Sequence, residues 1–411
     1  MYQRNITSVL VEALADTPVV LLAGARQTGK TTLARQFAVA GKANYLSLDD
    51  AATLAAASAD PPGFVAGLGE RTVIDEVQRA PALLPAIKLA VDADRRPGRF
   101  LLTGSANILA LPRISESLAG RMQIVPLEPL SQGELAGVRE RFIDMAFERH
   151  LQHLRPGDSR TDDLATLIAT GGYPEAVARP QERRRDAWFN SYLTAIVQRD
   201  IRDVANIAGL TEVPRLLSLL AARSATLLNA SELSRAMAIP GTTLTRYLAV
   251  LEATYLVHRL PAWSGNLGKR LIKAPKLHLV DAGMAAHLIG MSVSALRTGS
   301  PGLGQLLESF VVGELRRQAS WQDVAVKLFH YRALHSAREV DVVLEARDGR
   351  VVGIEVKAAA SVTERDFAGL RDLAEVTGTR FAGGYVLYGG AASVPFGPNL
   401  HALPVSALWR A

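Results

Sequence analysis

Gly24, Ala25, Arg26, Gln27, Thr28, Gly29, Lys30 and Thr31 have the types and spacing to hold a phosphate chain. They fit G-x-x-x-x-G-K-[ST], set between the apolar run Val19–Ala23 and a stretch with helical character. The glycines let backbone N–H groups curl around phosphate oxygens, and the helix N-terminus adds positive potential there. Lys30 is then expected to reach the β- and γ-phosphates and the Thr31 hydroxyl to hold Mg²⁺, with Thr32 completing the binding set. ATP and Mg²⁺ are the expected ligands.

An acidic partner follows in Arg71-Thr72-Val73-Ile74-Asp75-Glu76-Val77, a short strand ending in adjacent carboxylates. Asp75 would hold the metal through water, and Glu76 would polarise an attacking water. A surface pair at a strand end is the plainer alternative. Arg99–Ser105 reads as another strand, and because ligands gather at the carboxyl ends of parallel strands, Thr103 or Ser105 could touch the γ-phosphate or its water. Arg121, after Glu116–Gly120, is the candidate catalytic arginine, acting in cis or from a neighbouring subunit. Its alternative role is that of a dipole partner at a helix C-terminus.

A second constellation lies in the last hundred residues. Glu339–Leu344 and Val351–Lys357 read as two strands of a hairpin, which would bring Asp341, Glu355 and Lys357 together, with Glu308 added from the helical run Leu306–Arg317. Glu308, Asp341 and Glu355 are oxygen ligands suited to Mg²⁺. Asp341, Glu355 and Lys357 are the candidate catalytic residues for phosphodiester cleavage, Lys357 stabilising or deprotonating a water. The competing reading is a charged hairpin laced by cross-strand ion pairs.

These residues need elements to position them. Candidate strands at Val19–Ala23, Tyr45–Leu48, Thr72–Ile74, Phe100–Leu102 and Ile124–Leu127 alternate with helical stretches, which argues for a parallel sheet covered on both faces. Gly171–Glu175 reads as a sharp turn, and Trp188–Asp203 as a helix whose Arg199 and Arg202 either reach the nucleotide or pair with Asp200 and Asp203. Ser231–Met237, a turn at Ala238–Gly241 and Thr242–Leu251 give a helix-turn-helix outline, with Thr242, Thr243 and Arg246 outward. Between strand-like Tyr255–Leu260 and Lys276–Val280, the residues Lys269, Arg270 and Lys273 form a basic wing suited to phosphate contacts. The alternative is a module used only for protein packing.

The chain has 411 residues, 48% of them hydrophobic, so two or three domains each with a core are expected. The charge of +6 and pI near 9.6 favour an anionic partner such as DNA. With no cysteine, disulfides, thiol catalysis and cysteine-ligated zinc are excluded. No run approaches the ~18 apolar residues needed to span a bilayer, so no membrane association and a cytoplasmic location are expected.

The chain resembles the prokaryotic AAA-type P-loop ATPases that carry a C-terminal domain of unknown function with a restriction-endonuclease-like, PD-(D/E)xK-type core. The residues that carry this are Gly24–Thr31, Val73–Glu76, Leu102–Ser105, Leu118–Arg121, Gly171–Glu175, Arg199–Asp200, Lys273–Lys276 with Asp281-Ala282-Gly283, and Glu339–Asp341 with Glu355-Val356-Lys357. The resemblance implies an α/β fold: an AAA-like P-loop domain with a parallel sheet over 1–137, and a helical lid or linker region over 138–228. A winged-helix domain over 229–295 and an α/β restriction-endonuclease-like domain over 300–411 would follow. The function expected is Mg-dependent ATP hydrolysis coupled to DNA binding and, further, to DNA cleavage. The alternative is a nucleotide-dependent regulatory or signalling ATPase whose nuclease-like domain is inactive and whose protein partner is unknown. An oligomer is allowed, although the second-sensor arginine usual in AAA proteins has no clear counterpart here.

Overall fold

The computed structural model describes residues 2–105, 118–151, 163–198, 210–266, 268, 270, 273–333 and 338–411. Arg199 and Arg202, Glu116 and Ser117, and Lys269 of the expected wing lie outside them.

Val19–Ala23 (β1) is an apolar run, β-branched at Val19 and Val20, with all five residues buried, which suits the centre of a sheet covered on both faces. Around it lie Asn44–Ser47 (β2), Thr72–Asp75 (β3), Phe100–Gly104 (β4) and Met122–Pro126 (β5). The order is β2-β3-β4-β1-β5 and every pairing is parallel. The strand carrying Asp75 therefore does not adjoin the strand leading into the phosphate loop; β4 lies between them. Apolar clusters on the two faces alternate along β1, with Val19, Leu21 and Ala23 on one side and Val20 and Leu22 on the other.

Beyond the sheet, helices Leu164–Thr170 and Glu182–Gln198 lead into a smaller unit. It holds helix Val213–Ala222, Thr226–Leu227 (β6), helices Ala230–Met237 and Gly241–Ala253, Val257–Leu260 (β7) and Lys276–Leu279 (β8). The strands form an antiparallel sheet in the order β6-β8-β7. Asn229 caps the first helix of the pair by accepting from Glu232 N, and Ala238 in the left-handed region ends it.

The long helix Leu303–Ala319 opens the last region, followed by Val326–Arg332 (β9), Glu339–Ala346 (β10), Val351–Lys357 (β11), Phe381–Tyr388 (β12), Val394–Pro395 (β13) and Leu400–Pro404 (β14). Their order is β13-β14-β12-β11-β10-β9, antiparallel from β9 to β11 and parallel from β11 through β12 to β14. One apolar cluster runs from Phe142 to Trp409 through all of these helices and sheets. The regions expected as three separate units after residue 137 thus share a core.

Candidate functional site

The phosphate loop is shaped by backbone constraints. A Cβ at Gly24 would lie 2.1 Å from the carbonyl oxygen of Leu127, so only glycine lets the chain pass there. Gly29, at φ 98°, turns the loop into helix Lys30–Ala40, and Gln27 takes φ 60°. The Thr28 hydroxyl donates to Ala25 O at 3.0 Å inside the loop. Lys30 is buried, its ammonium donating to Gly24 O at 2.9 Å and Ala25 O at 2.8 Å. Thr32 is exposed on the first turn of the helix.

Two contacts on this loop had no sequence signal. Arg4 donates to Thr28 O and to Glu128 O, each at 2.7 Å, and to the buried carboxylate of Glu134 at 3.0 Å. Tyr192, on helix Glu182–Gln198, donates to Arg26 O at 3.2 Å, and its hydroxyl lies 3.0 Å from that of Tyr173. The segment around Gly171–Pro174 thereby touches the loop through an aromatic pair.

Asp75 closes the other side. Thr31 Oγ1 lies 3.2 and 3.0 Å from its two carboxylate oxygens, Tyr45 donates to Oδ2 at 2.8 Å, and Thr103 donates to Oδ1. Burial pushes the Tyr45 phenol up, so it stays a donor. Glu76 sits at φ 61°, a conformation a non-glycine residue keeps only where its surroundings enforce it. Its N–H donates to Thr103 Oγ1 at 2.9 Å, and its carboxylate accepts from Gln78, which also reaches Ser105 Oγ at 2.9 Å. Hydroxyls of Thr103 and Ser105, expected near the phosphates, are thus gathered with both carboxylates. Tyr45 and Gln78 were missed; their positions became meaningful only through the strand order.

These groups fit a magnesium nucleotide. The donor set of Thr31 and Asp75 is all oxygen, and Mg²⁺ is usually held by one or two protein groups plus water and phosphate. Arg121 does not join them. Its carbonyl accepts from Val19 N, at the opposite end of β1 from the loop, ~13 Å away at the rise of a strand. Its guanidinium pairs with Asp92 and holds that carboxylate below its usual range. Arg121 therefore cannot touch a phosphate on its own chain.

The second constellation gathers around an unexpected residue. Val342 pairs with Ile354 across the β10–β11 hairpin, and a bulge between Val340 and Val343 sits beside Asp341. Lys276, at the start of β8, places its buried ammonium 2.6 Å from Glu308 Oε1 and 3.1 Å from Asp341 Oδ1. The other Asp341 oxygen accepts from Val356 N at 3.0 Å, and Lys357 donates to Glu355 Oε1 at 2.7 Å. Burial, reinforced by Asp341, pushes the Glu308 carboxyl well up and that of Glu355 to about 8. Burial opposes the Lys276 charge, but Asp341 and Glu308 outweigh it and raise its pKa. Lys276 thus stands among the Glu308, Asp341 and Glu355 carboxylates expected as a ligand set. Among the described residues no group of three or more His, Cys, Asp or Glu side chains could hold a metal ion.

The expected wing is also altered. Arg270 donates to both carboxylate oxygens of Glu345, at 2.5 and 2.7 Å, and stacks on Trp263 and Phe329. That guanidinium holds Glu345 below its usual range and binds the segment to the C-terminal sheet. Lys273 Nζ approaches Arg332 O at 3.5 Å. On helix Gly241–Ala253, Thr242 and Arg246 are exposed and Thr243 is half-buried.

The model of an AAA domain matches residues 16–136. Two domains of unknown function, DUF8612 and DUF4143, match 161–295 and 303–408. Uncharacterized proteins of Mycobacterium tuberculosis and Mycobacterium bovis are each 32% identical over 361 residues, covering 87% of this chain and 74% of theirs. Similar solved structures include the Walker-type ATPase of Pyrococcus abyssi, with 15% identity, TM-score 0.43, and 70% of this chain and 96% of that one covered. The RuvB Holliday junction branch migration motor of Thermotoga maritima has 20% identity and TM-score 0.31, with 62% and 89% covered. No helix among the described residues is long and apolar enough to cross a membrane. Its AAA domain, phosphate loop and acidic strand make the chain an AAA-type P-loop ATPase, an ATP hydrolase that belongs to the family of these mycobacterial proteins.

Proposed function

We propose that the chain couples Mg-dependent ATP hydrolysis to engagement of DNA. The observation that carries the ATPase assignment of roles is the convergence of Thr31, Tyr45 and Thr103 on Asp75, with Glu76 beside them. Lys30 leaves the loop carbonyls for the β- and γ-phosphates, and Gly24–Thr31 supplies amide donors. Magnesium, when bound at Thr31 and Asp75, neutralises phosphate charge. Glu76 orients the attacking water and accepts its proton, held in place by Gln78 and Thr103. Arg121 serves a neighbouring subunit's nucleotide or is structural.

DNA engagement is supported by the +6 charge and by the outward face of the helix pair, which carries Arg235, Thr242, Thr245 and Arg246. Lys30→Ala is expected to abolish ATP turnover, and the joint change Arg235→Ala with Arg246→Ala to weaken binding to duplex DNA and flatten its salt dependence by roughly two unit charges. Wild-type turnover in the Lys30 variant overturns the site. No DNA affinity at low salt overturns the DNA part and favours a protein partner instead. A second reading, a nucleotide-dependent regulator with an inactive nuclease-like domain, is favoured by the lysine lying among the C-terminal carboxylates.

A further inference from the structure

The PD-(D/E)xK resemblance implies a divalent ion at Asp341 and Glu355, and the side chains present do not fit one. Oxygens that would face such an ion already have partners. Glu308 Oε1 and Asp341 Oδ1 accept from Lys276, Asp341 Oδ2 from Val356 N, and Glu355 Oε1 from Lys357. Among the described residues only Glu355 Oε2 is buried there without a partner.

Charge counting points the same way. Three carboxylates beside Lys276 and Lys357 sum to −1 with all five groups ionised, so a divalent ion would leave the pocket positive. Without Lys276 the sum is −2, which a divalent ion neutralises. Burying two cations side by side is opposed by both desolvation and repulsion.

Lys276 is also delivered by a fastened element. Its strand follows the segment in which Arg270 grips Glu345, His330 Nε2 lies 3.1 Å from Ala274 O, and Trp263 N donates to His330 O at 2.6 Å. Lys276 itself is only 6% exposed. A surface lysine swinging in by chance would have none of these supports.

We propose that Lys276 is the resident cation of the C-terminal carboxylate cluster, standing where a divalent ion would, so that the chain as folded takes no metal there. The inference is independent of whether the chain engages DNA. It is tested by titrating Mn²⁺ into the full chain and counting bound ion by electron paramagnetic resonance. Asp75→Asn is present throughout to remove the nucleotide-site contribution.

In that background no site dependent on Asp341 is expected. Adding Lys276→Ala is expected to create one site, a gain of one bound Mn²⁺ per chain, which Asp341→Asn removes again. Lys276→Gln, which keeps a donor for Glu308, replaces the alanine variant if that one fails to fold. For either variant, Mn²⁺ raises the melting temperature only where the new site exists. Mn²⁺ bound through Asp341 with Lys276 in place overturns the proposal. So does a folded Lys276 variant that gains no site.

Discussion

Arg4 is the residue whose loss should reveal how the phosphate loop is held. It donates to Thr28 O, Glu128 O and Glu134 Oε1, and it is 9% exposed, while the Glu134 side chain is wholly buried. Arg4→Met leaves that carboxylate without its cation. Breaking a buried pair by deleting one partner costs ~3–5 kcal/mol. Glu134 keeps amide donors from Asn5 at 2.7 Å and Ser131 at 3.1 Å, which places the expected loss near the lower end, about 3 kcal/mol. Removing both charges, in Arg4→Met with Glu134→Gln, should restore more than half of it, because no unpaired charge stays buried. The assay is urea unfolding of the ATPase domain, followed with and without nucleotide, together with fluorescent ATP binding. The single variant should also bind ATP more weakly, since Thr28 O loses its anchor. A single-variant cost below about 1 kcal/mol, the range of an exposed pair, would refute the reasoning. So would a double variant no more stable than the single one.

Tyr45→Phe removes one of three hydroxyl donors to Asp75 and should raise the Mg²⁺ concentration needed for half-maximal ATP turnover, by roughly tenfold if the lost charged hydrogen bond is worth ~1.5 kcal/mol. Glu314, buried between Gln132 N and Arg317, has its carboxyl raised to about 7, chiefly by burial. Because the folded-state value lies above the ordinary 4.5, its contribution is fully present below pH 4.5 and is lost as pH rises through 7. The parent should therefore lose up to about 3 kcal/mol over that window relative to Glu314→Gln. Parallel melting curves against pH would deny this. Gly24→Ala should destabilise the ATPase domain by ~1–3 kcal/mol or more, read from the same urea transition, because its Cβ meets a backbone oxygen that cannot swing aside.

What the sequence conveyed well was local. The five strands of the first sheet fall within two residues of their expected bounds, because short runs of apolar and strand-favouring residues between turn residues carry their own signal. The phosphate loop and the Asp75-Glu76 pair were readable for the same reason. Strand order was not, since nothing local says that β4 separates β1 from β3. Ionic partners were the least legible. Lys276 lies 32 and 65 positions from the carboxylates it serves, and Arg4 lies 130 from Glu134. Arg270 of the expected wing illustrates the same limit, for its charge reads as solvated until a neighbouring sheet supplies Glu345 and Phe329.

The helix Leu303–Ala319 joins two of these sites through a single rod. Near its end Arg316 holds the Glu128 carboxylate at 2.6 Å, and the Glu128 carbonyl accepts from Arg4, which grips Thr28 O of the phosphate loop. Eight residues earlier, ~12 Å along the axis, the same helix presents Glu308 to Lys276. Were the packed helix to move as one body, a shift of the loop at Glu128 would tilt the far carboxylate against the ammonium it faces. Turnover at the nucleotide would then be felt as a tug on the lysine's grip, with α-helical stiffness setting the gearing.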